Sequence, residues 1–317
     1  MTDVIAFFPG QGAQYIGMLA DLAEHYPEVE LTFAEASDAL GFDLWALVND
    51  ASDTGEAVLN LTSNTQPALL AASVASWRII KRECPALRVV AGAGHSLGEY
   101  SALVAADAID FADAIRLVRR RGQLMEQAVP EGKGGMAAIL GLDDDAIGAV
   151  CADAADAGVV EPANFNAPGQ IVIAGESDAI ERAIELAKAA GAKRALSLAV
   201  SGPFHSSLMR AAADDFAVDL KAIHWRAPKF PVYHNADNDV ATLVEIPQRL
   251  LEQLYSPVIW TGAVAAVETK AAVAVEFGPG KVIAGLVKRI NKELPVLGTG
   301  SVSAVDATIA QIQGLQP

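Results

Sequence analysis

The apolar run Leu87-Arg88-Val89-Val90-Ala91 leads into Gly94-His95-Ser96-Leu97-Gly98, and this into the helical pattern Glu99-Tyr100-Ser101-Ala102-Leu103-Val104. A buried strand, a glycine-bounded turn and a helix in immediate succession leave few choices of fold. The turn must be too tight for a Cβ at either glycine, and it lifts the serine hydroxyl above the edge of a sheet. The helix that follows directs its first N–H groups at any negative charge formed beside that hydroxyl. Ser96 is therefore a candidate acyl-carrying nucleophile. The plainer alternative is a Gly-rich βα turn with an incidental serine. G-x-S-x-G is a short pattern, and its strand–turn–helix context is what favours the nucleophile.

The rest of the chain fits an α/β fold. Val4-Ile5-Ala6-Phe7-Phe8 is a continuous apolar strand that stops at Pro9-Gly10-Gln11-Gly12, the kind of Gly-rich strand end where α/β sheets place binding residues. Helical patterns follow near 16–25 and 30–40, then from Pro67 to Ile80 with Pro67 at the first helical position, and across Phe111–Gln127. Strands alternating with helices imply a mostly parallel sheet covered on both faces.

The rhythm changes between 132 and 199. Gly135–Leu140, Val159–Asn164, Gln170–Ala174 and Arg194–Leu198 read as strands. Asp143–Ala155 and Ser177–Ala190 read as helices, the second capped by Ser177. The order β-α-β-β-α-β is the ferredoxin-like pattern. It predicts a subdomain over 132–199 inserted into a large domain formed by 1–131 and 200–317. Gly132–Gly135 and Val200–Pro203 would be its hinges, with a cleft between the two parts. The large domain then resumes with helices at 206–222, 246–254 and 260–268, strands at 230–233 and 272–277, and a helix to about 291. Gln311–Pro317 is expected to fray.

Composition excludes several classes. A net charge of −16 disfavours nucleic acid and anionic membrane surfaces. No apolar run approaches the ~20 residues of a membrane span. Met1-Thr2-Asp3 opens into the first strand without a basic leader, so no signal peptide is expected. Cys84 and Cys151 are the only cysteines, lack C-x-x-C spacing, and read as small core residues of a protein in a reducing, cytoplasmic setting.

A serine nucleophile needs a base, and the histidines are His25, His95, His205, His224 and His234. His95 adjoins Ser96 and leaves the turn in another direction. His224 and His234 lie in or beside regular elements and read as structural. His205, in Ser201-Gly202-Pro203-Phe204-His205-Ser206, sits where the chain re-enters the large domain, on a rigid loop facing the cleft. An α/β-hydrolase would keep its histidine near the C-terminus and carry an HGGG-type loop. Here more than a third of the chain follows His205, and no such loop precedes Ser96. A Ser–Asp dyad of the patatin type is disfavoured by the lack of any Asp-Gly dipeptide. In Arg116-Leu117-Val118-Arg119-Arg120-Arg121-Gly122 the first three arginines lie near one helix face and Arg121 points elsewhere. The run is either a solvated helix end or the source of one guanidinium in the cleft, where it would select an acyl group bearing a carboxylate.

Six segments together resemble the successive signatures of the malonyl-CoA:acyl-carrier-protein transacylases, in that family's order. They are Gly10–Gln14, Gly94–Tyr100, Arg119–Gly122, Ala163–Gln170, Pro203–Ser206 and Phe277–Gly280. The resemblance implies an α/β hydrolase-like core with a ferredoxin-like insert. It implies Ser96 as nucleophile, His205 as base with the backbone carbonyl of Gln253 as its partner, and the Gln11 and Leu97 N–H groups as oxyanion hole. It places Arg121 on the malonyl carboxylate and Gln66 in the pocket, and Phe204 is similar to the malonyl-selecting form of its motif. Ile259 departs from relatives that carry a polar residue there. The expected partners are malonyl-CoA and an acyl carrier protein, with no metal and no cofactor beyond the coenzyme A thioester, and a monomer is expected. Carrier proteins are acidic, so docking is expected on a local basic patch, with Lys193, Arg194, Lys288 and Arg289 (and Lys292 beside them) as candidates. The competing readings are an acyltransferase of a polyketide pathway, a serine thioesterase or other hydrolase, and a non-catalytic acyl-binding partner.

Overall fold

The computed structural model describes residues 2–314. Its strands, in chain order, are β1 (Thr2–Phe8), β2 (Leu87–Gly94), β3 (Gly134–Leu140), β4 (Val160–Ala167), β5 (Gln170–Glu176), β6 (Arg194–Ser197), β7 (Val232–Tyr233), β8 (Ala274–Glu276) and β9 (Val296–Gly298). Five of them form a parallel sheet in the order β7-β2-β1-β8-β9. β1 explains why its sequence is an unbroken apolar run. Val4, Ala6 and Phe8 face a core shared with the helices Pro27–Leu40, Thr62–Glu83, Leu97–Ala105 and Phe111–Gln127. Ile5 and Phe7 face a second core built around Trp260, Ile283 and Val287. A strand buried on both faces has no polar side to alternate with. The fold class is thus α/β, with helices on both faces of a parallel sheet.

The remaining strands form a four-stranded antiparallel sheet, β4-β5-β3-β6, in the chain order β-α-β-β-α-β. Ala137, Ile139, Ile171 and Ile173 point into a core under the helices Asp144–Ala154 and Ser177–Ala189. Their neighbours Met136, Ala138, Gln170 and Val172 line a cleft against the large sheet. The chain leaves and re-enters the large domain at one place, where a Cβ on Gly134 would come within 2.6 Å of the Pro203 ring.

Several local expectations need correction. Pro67 does not begin a helix but lies inside one, Thr62–Glu83. Proline cannot donate to the carbonyl four residues back, and that carbonyl, Ser63 O, instead accepts from Arg119 Nη1 at 2.7 Å. Ser177 is not the helix cap: the helix starts from Glu176, and the Ser177 hydroxyl donates to Gly132 O at 2.8 Å. β9 and the helix Val302–Gly314 were not anticipated. Thr308 interrupts the apolar stripe formed by Val305 and Ile312, and it is buried because its hydroxyl donates to Gly298 O at 2.8 Å. Of the tail expected to fray, 311–314 is helical and 315–317 lies outside the described residues. Among the described residues, no helix is long and apolar enough to cross a membrane.

Candidate active site

The parallel register pairs Phe8 with Gly94, so the loops after β1 and β2 emerge side by side at the C-terminal edge of the sheet. His95 N donates to Phe8 O at 3.0 Å and ties them together. The glycines of the turn are required by close approach. A Cβ on Gly94 would lie 1.9 Å from the Gly98 carbonyl carbon, and one on Gly98 would lie 2.1 Å from Phe8 O. Between them Ser96 has φ +50° and ψ −105°, a strained positive-φ conformation that costs a residue with a side chain roughly 1–3 kcal/mol. Its N–H donates to Asn235 Oδ1 at 2.7 Å, and its carbonyl accepts from Gln253 Nε2 at 3.0 Å.

His205 also has a positive φ, +60°, and is only 4% exposed. Its Nδ1 lies 2.8 Å from the backbone oxygen of Gln253. A carbonyl only accepts, so the proton is on Nδ1, and the bare Nε2 accepts from the Ser96 hydroxyl at 2.7 Å. Burial, and then the nearby Arg121 cation, push the imidazole down to about 3. The ring is neutral at ordinary pH and able to take a proton. His95, one residue from the nucleophile candidate, turns instead to Asn166 Oδ1 at 2.8 Å, and burial lowers its pKa.

Arg121 completes the group. Its helix, Phe111–Gln127, starts from Asp110, whose side chain accepts from the Ala112 and Asp113 N–H groups. The arginines of the run separate: Arg116 pairs with Asp113 and Arg120 with Asp219 near the surface, Arg119 bonds Ser63 and Asn64, and Arg121 alone is buried. It is 1% exposed, over the Tyr100 ring at 5.3 Å. Nη1 donates to Gln66 Oε1 at 3.0 Å, and Nη2 donates to Gln253 Oε1 at 2.8 Å and to Ser96 Oγ at 3.1 Å. Nε has no hydrogen-bond partner among the described residues, and the carboxylate that acts on the guanidinium, Glu99, reaches it through Gln253 rather than directly.

A cleft of about 490 Å³ opens over Ser96 and His205, lined also by Gln11 and Phe204 from the large domain and Met136, Asn164, Asn166 and Val172 from the small sheet. Arg121, Gln66 and Gln253 lie buried behind this lining. The Gln11 and Leu97 N–H groups make no hydrogen bond among the described residues. Ile259 stands 36% exposed before the helix Trp260–Val267 and does not line the cleft. Lys193, Arg194 and Arg289 surround a separate surface depression of about 690 Å³, while Lys288 is exposed but outside it. No group of three or more His, Cys, Asp or Glu among the described residues is arranged to hold a metal.

Sequence reasoning missed Glu99, Asn235 and the side chain of Gln253. Glu99 is 0% exposed and bonds His234 Nδ1, Asn235 N and Gln253 Nε2. A carboxylate within the apolar helix Leu97–Ala105 was the available signal.

The acyl transferase domain model matches residues 6–310. The malonyl CoA-acyl carrier protein transacylase of Escherichia coli strain K12 is 53% identical over 317 residues, covering 98% of this chain and 99% of that one. An acyl carrier protein S-malonyltransferase from Vibrio cholerae superposes with a TM-score of 0.91 at 54% identity, covering 97% of this chain and 100% of the other. A malonyl-transacylase solved in complex with a type II polyketide synthase acyl-carrier protein gives 0.93 at 50% identity, covering 98% and 100%. An α/β core with this cleft, and likeness at this level over nearly the full length, lead to one assignment: the chain belongs to the acyltransferase family of malonyl CoA-acyl carrier protein transacylases.

Proposed function

We propose that the chain moves a malonyl group from malonyl-CoA to the phosphopantetheine thiol of an acyl carrier protein by way of a malonyl ester on Ser96. The observation that carries this reading is Arg121, a buried guanidinium bonded directly only to neutral amides and a hydroxyl, with the Glu99 carboxylate nearby but separated from it by Gln253. Buried charges are stable when paired, and the free carboxylate of a malonyl group supplies the missing partner beside the reacting oxygen.

In the first half-reaction Ser96 Oγ attacks the thioester carbonyl as its proton passes to His205 Nε2. The Gln253 carbonyl holds the imidazolium through Nδ1, and the Gln11 and Leu97 N–H groups receive the oxyanion. Collapse breaks the C–S bond, and the coenzyme A sulfur leaves with the proton from His205. The carrier thiol then gives its proton to Nε2 and attacks the ester carbonyl, and the Ser96 oxygen departs with that proton. Gln66 and Gln253 hold the Arg121 fork in place, and Phe204 gives the cleft an apolar wall. The basic depression at Lys193, Arg194 and Arg289, with Lys288 nearby, is the proposed docking point for the acidic carrier.

Incubation with radiolabelled malonyl-CoA and no carrier tests the reading. The wild type should retain about one label per chain, released by added holo carrier protein, and Ser96→Ala should retain none. Label on Ser96→Ala, or rapid release to water in place of retention, overturns it.

A further inference from the structure

The hydrogen bonds that hold Ser96 and His205 converge on a group outside the reaction itself. Asn235 accepts from Ser96 N at 2.7 Å and donates to Gly94 O at 2.8 Å, bridging both sides of the turn. Gln253 contacts all three reacting groups: its side chain donates to Ser96 O and accepts from Arg121, and its carbonyl accepts from His205. Both residues are tied to a single carboxylate oxygen. Glu99 Oε2 accepts from Asn235 N and from Gln253 Nε2, each at 2.8 Å. Its other oxygen accepts from His234 Nδ1 at 2.7 Å, which fixes the rotation of the carboxylate. Glu99 lies one helical turn past Ser96, so the residue that braces the turn is carried on the helix that the turn begins.

We propose that Glu99, oriented by His234, is the positioning residue of this site: through Asn235 and Gln253 it holds Ser96 in its strained positive-φ conformation and sets the Gln253 carbonyl against His205. A buried carboxylate that only satisfied its own bonds would leave chemistry untouched once the protein had folded. Here its two amide partners end on the reacting residues themselves. Ser96 and His205 both have positive φ, and such conformations persist only where neighbours over-determine them.

The proposal rests on the roles of Ser96 and His205 given above, and Glu99→Leu, Glu99→Gln and Asn235→Ala test it in the full chain. Glu99→Gln can keep accepting from Asn235 and Gln253 while its amide donates to the other tautomer of His234, so it should stay near wild type. Glu99→Leu should lose on the order of 100-fold in kcat for malonyl transfer, the scale of a misplaced reacting group, with KM for malonyl-CoA changed by less than about threefold. Asn235→Ala leaves the carboxylate in place and should show the same split if Glu99→Leu does not fold. Labelling of Ser96 by a fluorophosphonate reports the geometry of the nucleophile without any malonyl group. It should slow in parallel with kcat in Glu99→Leu and Asn235→Ala. Wild-type labelling and kcat in folded Glu99→Leu or in Asn235→Ala, or a loss borne by KM alone, overturns the inference and leaves the transfer reaction standing. A wild type that labels with the fluorophosphonate but moves no malonyl group overturns the transfer reaction, and slow labelling of Glu99→Leu would still support the positioning role.

Discussion

The two sheets of this molecule divide the work of one cleft. The parallel sheet is buried on both faces, and its chemistry lies at strand ends, where β1 and β2 release the Gln11 loop and the Ser96 turn. The antiparallel sheet covers one face with its own helices and turns the other, through Met136, Ala138, Gln170 and Val172, toward the cleft. One sheet carries Ser96, the proposed nucleophile, in a turn fixed by close backbone contact. The other supplies a wall whose residues alternate in and out. Its subdomain has room at Gly135 and Gly148, where a Cβ would meet nothing within 4 Å, although Gly175 in β5 is as tightly held, its Cβ position 2.1 Å from Val159 O. The difference predicts steep responses to change on the first side and shallow ones on the second.

The steepest response is expected at Arg121. Arg121→Gln should cost malonyl transfer about 3–4 kcal/mol, some hundreds-fold in kcat/KM, as the loss of one partner of a buried ion pair does. Transfer of an uncharged acetyl group should be kept or raised, and an equal loss of both would remove Arg121 from acyl selection. The same variant shifts the pH profile. A cation disfavours imidazolium, so its removal raises His205 from about 3 toward the ordinary ~6.5, and the acid limb of acetyl transfer should move to higher pH. A limb that stays or moves down contradicts that coupling.

Next in size is the contrast between glycines. Gly98→Ala forces a Cβ to 2.1 Å from Phe8 O and should destabilise by about 3 kcal/mol or more, since backbone rather than a movable side chain stands in the way. Gly148→Ala, in the helix Asp144–Ala154 of the small subdomain with nothing within 4 Å, should stabilise by about 0.5–1 kcal/mol. Urea melts of the two variants check the signs, and similar effects would erase the contrast. The smallest effect is electrostatic. Reversing Lys193 and Arg194 to Glu should raise KM for carrier protein a few-fold at low salt without changing KM for malonyl-CoA, and a change in the latter instead would put the docking point elsewhere.

What could be read in advance follows the same division. The Ser96 turn was legible because its requirements are local: apolar strand, two glycines and a helix in one stretch. The small subdomain was legible through alternation, Ala137 and Ile139 inward against Met136 and Ala138 outward. Pro67 was misread because the group that satisfies Ser63 O comes from Arg119, on another helix. Glu99, Asn235 and the side chain of Gln253 escaped, although the Gln253 carbonyl was expected beside His205, because nothing in local sequence joins them: the bond from Gln253 to Glu99 spans 154 positions. β9 is three residues long and is defined by pairing with β8 rather than by any pattern of its own. Positions set by local sterics could be read, and those set by partners far along the chain could not.

The path of the chain through the cleft also has a consequence for its synthesis. Gln11, Ser96 and Arg121 precede the small sheet in sequence, whereas His205 and Gln253 follow it. On the roles proposed above, a growing polypeptide carries the Ser96 nucleophile and the Arg121 clamp before the small sheet is made and gains the His205 base only after it. A chain cut short within the small sheet therefore has Ser96 without the His205 proposed to activate it.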